Sequence, residues 1–167
     1  FAVRSVDSTL VLRNSFVRLD GRIGATGVFA SGGTVEIQNA TFDHAEETRS
    51  DFLTPLKLDS AEGHVYNSIF EAETAVDFIG VDIGSSAVKF YNNTCILDLG
   101  SSRSAALRIR NDRGSSIINN IFADPSANGR NGFTADSVSG GDIEIRNNCF
   151  SGWQNIIETG DTAAESI

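Results

Sequence analysis

The sequence predicts an all-β fold, a right-handed parallel β-helix of about six coils with 25–28 residues per coil, stacked as a solenoid. Three observations predict it. A short alternating strand followed by Asn and an anchor, Phe in five units and Cys in one, recurs six times, the anchors keep a nearly constant spacing, and no stretch shows the periodicity of a helix.

The six units are Val11–Phe16, Ile37–Phe42, Val65–Phe70, Phe90–Cys95, Ile117–Phe122 and Ile145–Phe150. Their last residues, the anchors, follow one another at intervals of 26, 28, 25, 27 and 28 residues. Seven and five residues before each anchor the chain is mostly apolar, as at Val35 and Ile37 or Val88 and Phe90. That period of two buries one face of a strand. A second alternation precedes most units, in Leu56–Asp59, Val76–Phe78 and Leu107–Arg110. Turn-forming residues separate the two, in Ser60–Gly63, Gly84–Ser86, Asp112–Gly114 and Ser139–Gly141. A left-handed β-helix needs a shorter hexapeptide rhythm, and a propeller blade needs about 40 residues or more.

Three residues before the anchor stand Asn39, Asn67, Asn92, Asn119 and Asn147, with Asn14 displaced by one in the first unit. Asn tolerates a left-handed backbone, and stacked amides can hydrogen-bond from coil to coil. These five are therefore expected to form an internal asparagine ladder, with Phe16, Phe42, Phe70, Phe122 and Phe150 as an aromatic stack. The glycosylation sequons at Asn39-Ala40-Thr41 and Asn92-Asn93-Thr94 then fall inside, where no glycan fits. Cys95 is an anchor and Cys149 precedes one, so they face opposite ways about 10 Å apart, beyond disulfide reach. Two unpaired thiols are expected.

The 167 residues suit one domain, residues 1–167. Both terminal segments, Phe1–Val6 and Asn155–Glu158, read as coil sequence that continues, so a longer parent protein, truncated here at one or both ends, is expected. With 22 acidic and 13 basic residues the net charge of −9 repels nucleic acid and anionic lipid. No apolar run approaches the ~18 residues of a membrane span, so neither nucleic-acid binding nor membrane insertion is expected.

The "NNTC", "NNIF" and "NNCF" units after alternating strands resemble the pectate-lyase-like right-handed parallel β-helix superfamily over roughly Leu10 to Trp153. The resemblance implies a secreted or cell-surface setting. It leaves function open, since such folds carry lyases, hydrolases, adhesins and inert surface proteins. β-Helix enzymes of this kind commonly place substrate on a parallel sheet face. Six residues before the anchors stand Leu10, Glu36, His64, Lys89, Ser116 and Glu144; four before stand Leu12, Gln38, Tyr66, Tyr91, Ile118 and Arg146. Glu36, His64, Tyr66, Lys89 and Tyr91 thus form a candidate sugar platform, with aromatic faces for stacking. Arg108 and Arg110, in a basic cluster with Arg103, Arg113 and Lys57, are further binding candidates, set against salt bridging to Asp59, Asp82 and Asp112.

Two functional readings follow. The first is a noncatalytic extracellular scaffold or recognition surface for polysaccharide or protein partners, needing no cofactor. The alternative is a polysaccharide-active enzyme fragment, a lyase on uronate-containing chains, with Lys89, Arg108 and Tyr91 as catalytic candidates. Lyases of the resembled superfamily often use calcium, and Asp43, Glu71 and Glu73 are the candidate ligands, with Glu46, Glu47, Asp98 and Asp124 nearby in the repeat. Trp153 is either a sugar-stacking residue or a lid on the last coil.

Overall fold

The structure is a computed structural model that describes residues 2–19, 25–44, 53–74, 77–99, 104–127, 131–136 and 143–159. Among them the chain forms strands and no helix, and every strand pairing is parallel. The first sheet contains β1 (Val3–Val6), β4 (Thr26–Ser31), β7 (Thr54–Asp59), β10 (Ile79–Gly84), β13 (Ala105–Arg110), β16 (Asn131–Asp136) and β19 (Asn155–Thr159). The second contains β2 (Leu10–Arg13), β5 (Thr34–Gln38), β8 (Glu62–Tyr66), β11 (Ala87–Tyr91), β14 (Ser116–Ile118) and β17 (Glu144–Arg146). The third contains β3 (Phe16–Leu19), β6 (Thr41–His44), β9 (Ile69–Thr74), β12 (Thr94–Leu99), β15 (Ile121–Ala123) and β18 (Cys149–Ser151). Consecutive strands change sheet, and every third strand returns to the same one, as a parallel β-solenoid requires.

Side chains from all three sheets meet in one continuous core. Ile37, Val65, Phe90 and Ile117 enter it from the second sheet, Leu56, Ile83 and Leu107 from the first, and Phe42, Phe70 and Phe122 from the third. These are the inward halves of the alternating runs. Phe42 and Phe70 stack at 4.6 Å with planes 4° apart, and Phe122 and Phe150 at 5.0 Å. Cys95 interrupts the series between Phe70 and Phe122. Phe90, from the neighbouring strand, bridges the gap at 5.9 Å from Phe70 and 6.3 Å from Phe122.

The first anchor differs from expectation. Phe42 pairs in register with Val17, whereas Phe16 pairs with Thr41 and is 64% exposed. Phe16 is therefore outside the aromatic stack, and the true anchor spacing there is one residue shorter. It follows that Asn14 is not displaced: it stands three residues before Val17, as the other asparagines stand before their anchors.

Among the described residues two corners of the coil turn on left-handed residues. Between the first and second sheets these are Asp7, Gly32 with Gly33, Ser60, Ser85 and Asn111; between the second and third a single one serves each corner, Asn14, Asn39, Asn67, Asn92, Asn119 and Asn147, with φ of 49–56°. Asn suits that conformation because its short polar side chain tolerates it better than other non-glycine residues do. The left-handed residue also breaks the strict alternation, and the side chain that turns inward is the next one.

The internal asparagine ladder is present, but its rungs are one residue further along. Asn39, Asn67, Asn92, Asn119 and Asn147 are exposed; the inward column is Ala40, Ser68, Asn93, Asn120 and Asn148. The Asn120 side-chain oxygen accepts from the Asn93 backbone N–H at 2.9 Å, while its amide donates to the Phe90 carbonyl at 3.0 Å and to Asn148 Oδ1 at 2.9 Å. Asn93 repeats the pattern with the Ser68 N–H and the Val65 carbonyl, both at 2.9 Å. Each rung thus satisfies corner backbone groups that the core would otherwise strand. At the Ala40 corner the chain uses the Ser68 hydroxyl as acceptor for the Ala40 N–H, at 3.2 Å.

The two thiols are unpaired, Cys95 buried and Cys149 exposed. Trp153 caps the last pass from outside the strands, its indole N–H donating to the Phe122 carbonyl at 3.0 Å while its ring packs on the core.

Candidate functional site

The outward face of the second sheet carries polar and aromatic side chains in two adjacent columns. Strand pairing sets one column as Val11, Glu36, His64, Lys89, Ser116 and Glu144, and the column beside it as Arg13, Gln38, Tyr66, Tyr91, Ile118 and Arg146. Leu10 and Leu12, expected on this face, turn inward instead. Their neighbours Val11 and Arg13 replace them, because the first anchor is Val17.

Glu36, His64, Tyr66, Lys89 and Tyr91 come together as expected, around an open groove of about 620 Å³. Val11, Val35 and the strand-entry residues Thr9, Thr34, Glu62, Gly63 and Ala87 complete its lining; the repeat pattern passed over the entry residues because they precede each alternating run, and over Val11 because the first anchor is Val17. Gly63 forms part of its floor. With φ of 140°, a Cβ there would run into the Val35 carbonyl oxygen, so only glycine lets the two backbones lie this close.

The ring geometry alters what the tyrosines offer. Tyr66 and Tyr91 stack face to face, centroids 5.0 Å apart and planes 4° apart, and His64 meets Tyr91 edge-on at 6.2 Å. The facing sides of the two rings cover each other. What they present to a ligand is their edges, hydroxyls and outer faces, a narrower surface than two rings lying flat on the sheet would offer.

Glu36 organises one end. Arg13 donates to its Oε1 from Nη2 at 2.7 Å and from Nε at 3.1 Å, and the Tyr66 hydroxyl donates to the same oxygen at 3.4 Å. Local desolvation and the negative Glu36 raise the Tyr66 pKa above its ordinary value, keeping the phenol a donor. At the other end Arg146 pairs with Glu144 at 2.8 Å.

Arg108 and Arg110 lie elsewhere, on the outward face of the first sheet, and do not join this groove. Both grip one carboxylate. Arg108 reaches Asp82 at 3.2 and 2.8 Å and Arg110 reaches it at 3.0 and 3.0 Å, each through Nε and Nη2. The Asp82 side chain is only 1% exposed. Burial alone would raise its pKa, but the hydrogen bonds from the two guanidinium groups outweigh that and hold it below the ordinary range. Salt bridging is thus what this cluster does through Asp82. Asp112 instead accepts the Gly114 and Ser115 backbone N–H groups, both at 2.8 Å. Arg103 lies outside the described residues.

The calcium candidates fall on the third sheet. Asp43 is in register with Glu71, and Glu73 with Asp98. Asp43 pairs at 4.0 Å with Arg18, and Asp124 accepts from the Ser126 hydroxyl at 2.7 Å. Glu46 and Glu47 lie outside the described residues. Among the described residues no three His, Cys, Asp or Glu side chains gather as a metal site. No helix among them is long and apolar enough to cross a membrane.

No protein-family model, curated protein or solved structure matches the chain. Its fold rests on its own strand pairing, and the candidate site on its own geometry. One further residue-level correction follows from the ladder: Asn39 and Asn92 point outward, so the steric objection to their sequons does not hold.

Proposed function

We propose that this chain is a noncatalytic recognition scaffold, a rigid solenoid of the pectate-lyase-like kind in a secreted or cell-surface protein, that binds glycan along its second sheet. The observation that carries the reading is the groove in which Glu36, His64, Tyr66, Lys89 and Tyr91 converge. Its lining mixes donors, acceptors and aromatic edges, the chemistry that holds sugar hydroxyls. Parallel pairing on both sides fixes the backbone beneath these side chains, so little ordering cost attends binding.

The noncatalytic reading is supported by how Arg108 is used. A cation engaged bidentately by a buried carboxylate has little freedom to neutralise a reacting uronate. Lys89 and Tyr91 share one strand face, the observation that keeps a lyase as the second reading.

Binding to an immobilised panel of neutral and acidic glycans tests the proposal. Retention of the chain by at least one glycan, weakened about tenfold or more by Tyr66→Ala with Tyr91→Ala, is the expected result. Retention by none, or retention that the double variant leaves unchanged, overturns it. Growth of unsaturated-uronate absorbance that Lys89→Ala abolishes replaces it with the lyase.

A further inference from the structure

We infer that the ligand of this groove is a neutral, linear oligosaccharide lying along the solenoid axis, about one sugar unit per coil. The inference rests on the recognition role proposed above and narrows its ligand.

Its first support is length. Beyond the groove described above, a second depression of about 300 Å³ is lined by Lys89, Tyr91, Asn92, Ser116, Ile118, Asn119, Glu144 and Arg146. The two meet at Lys89 and Tyr91 and lie end to end, so together they mark a strip of the sheet running from Thr9 beside β2 to Arg146 on β17. It crosses six consecutive strands of one sheet. At about 4.8 Å per strand the strip is about 24 Å long, and its period is close to the advance of one pyranose in an extended chain. A compact ligand would use only part of it.

The second support is charge. Glu36, Glu62 and Glu144 face Lys89 and Arg146 across the lining, with Arg13 held against Glu36. Three carboxylates offset three cations, in a chain whose net charge is −9. Both arginines are already satisfied by carboxylates, Arg13 by Glu36 and Arg146 by Glu144. A polyuronate carries one negative charge per unit, and laid along the strip it would find Glu36 and Glu144 already paired and Lys89 offset by Glu62, so no net positive charge draws it in or repays the desolvation of its carboxylates. A neutral polyol has no such desolvation to repay.

The third support is the kind of hydrogen-bonding group. Asn92 and Asn119 are exposed at the strip's edge, each with an amide that donates and accepts, beside the Ser116 and Tyr91 hydroxyls. Sugar hydroxyls also do both. Mixed groups of this kind satisfy them, whereas each unit of a uronate chain adds a carboxylate, which only accepts.

Isothermal titration with cello-, xylo- and manno-oligosaccharides of increasing length, against oligogalacturonates and oligoguluronates, at low and high salt, tests this. A neutral series should bind, with affinity rising to about five or six units, one per strand, and then levelling, and with little salt dependence. The triple variant Glu36→Gln, Glu62→Gln, Glu144→Gln should gain affinity for oligouronates. Tighter oligouronate than neutral binding by the unaltered chain, weakening as salt rises, overturns the inference while leaving the recognition role in place. Affinity that stops rising at two units overturns the axial placement. Binding to neither series overturns the inference, and the recognition role falls with it if the immobilised glycan panel also retains none of the chain.

Discussion

Asn92 and Asn93 are adjacent, chemically identical and opposite in role. Asn93 is buried, with its amide and carbonyl spent on the Val65, Ser68 and Asn120 groups, whereas Asn92 is exposed and left-handed. Asn93→Ala should therefore cost about 2–3 kcal/mol, since it strands buried backbone partners. Asn92→Gly, which keeps the left-handed backbone, should change stability by less than about 0.5 kcal/mol. Urea unfolding of the two variants measures the difference; equal losses would put the ladder back on Asn92. The asparagine repeat and its backbone conformation were legible in the sequence, but not which asparagine of each pair turns inward. A period of two carries through a strand and fails at a left-handed residue, and the fold has one at each of these corners. The cysteines allow a second prediction at this scale. Burial pushes the Cys95 thiol pKa up, so a thiol reagent should label Cys149 in the folded protein and Cys95 only after denaturation.

Between strands, the decisive interaction is Asp82 of β10 against Arg108 and Arg110 of β13. Glycine at position 84 helps admit it: a Cβ there would lie 3.2 Å from an Arg110 guanidinium nitrogen and from an Asp59 carboxylate oxygen. Removing the carboxylate by Asp82→Ala leaves two partly buried cations facing each other and should cost about 3–5 kcal/mol. Its pH dependence has a definite sign. Because the folded-state pKa of Asp82 lies below the unfolded value of about 3.9, its contribution is complete above that pH and is lost as pH falls through the folded pKa. Melting temperature followed from neutral pH down past pH ~4 should show this loss in the parent and much less of it in Asp82→Asn. The sequence did pair Asp82 with this basic cluster, because a residue one coil away becomes a neighbour once the repeat length is known. It could not show that both arginines converge on one carboxylate, nor that Tyr66 and Tyr91 cover each other's faces, since both depend on rotamers.

Across the whole molecule, corner lengths are unequal. From the outward column of the second sheet (residues 11, 36, 64, 89, 116 and 144) to the anchors of the third (17, 42, 70, 95, 122 and 150) the step is always six residues. From those anchors to the paired first-sheet residues (28, 56, 81, 107, 133 and 157) it ranges from 7 to 14. Variation in coil length therefore collects mainly on one edge of the solenoid, away from the asparagine corner. Repeat length was legible for this reason: the motif that marks it sits at the corner that never changes. A coil should accordingly be removable as a unit. Deleting residues 120–147 joins Asn119 to Asn148 and keeps every remaining inward column, as well as the Asp82 cluster. The shortened chain is expected to retain its β circular dichroism and a cooperative melt; loss of both would show that coils are not interchangeable.

The position of Trp153 gives the molecule a built-in optical contrast. The one tryptophan lies in the final pass, and the two tyrosines stand stacked in the middle. Burial thins in that final pass, where Ile145 is 36% and Ile156 54% exposed. Indole emission reports that end alone, and tyrosine emission reports the centre. On heating, an indole transition that precedes the tyrosine transition would record fraying from one end, and coincident transitions would record a solenoid that melts as one body.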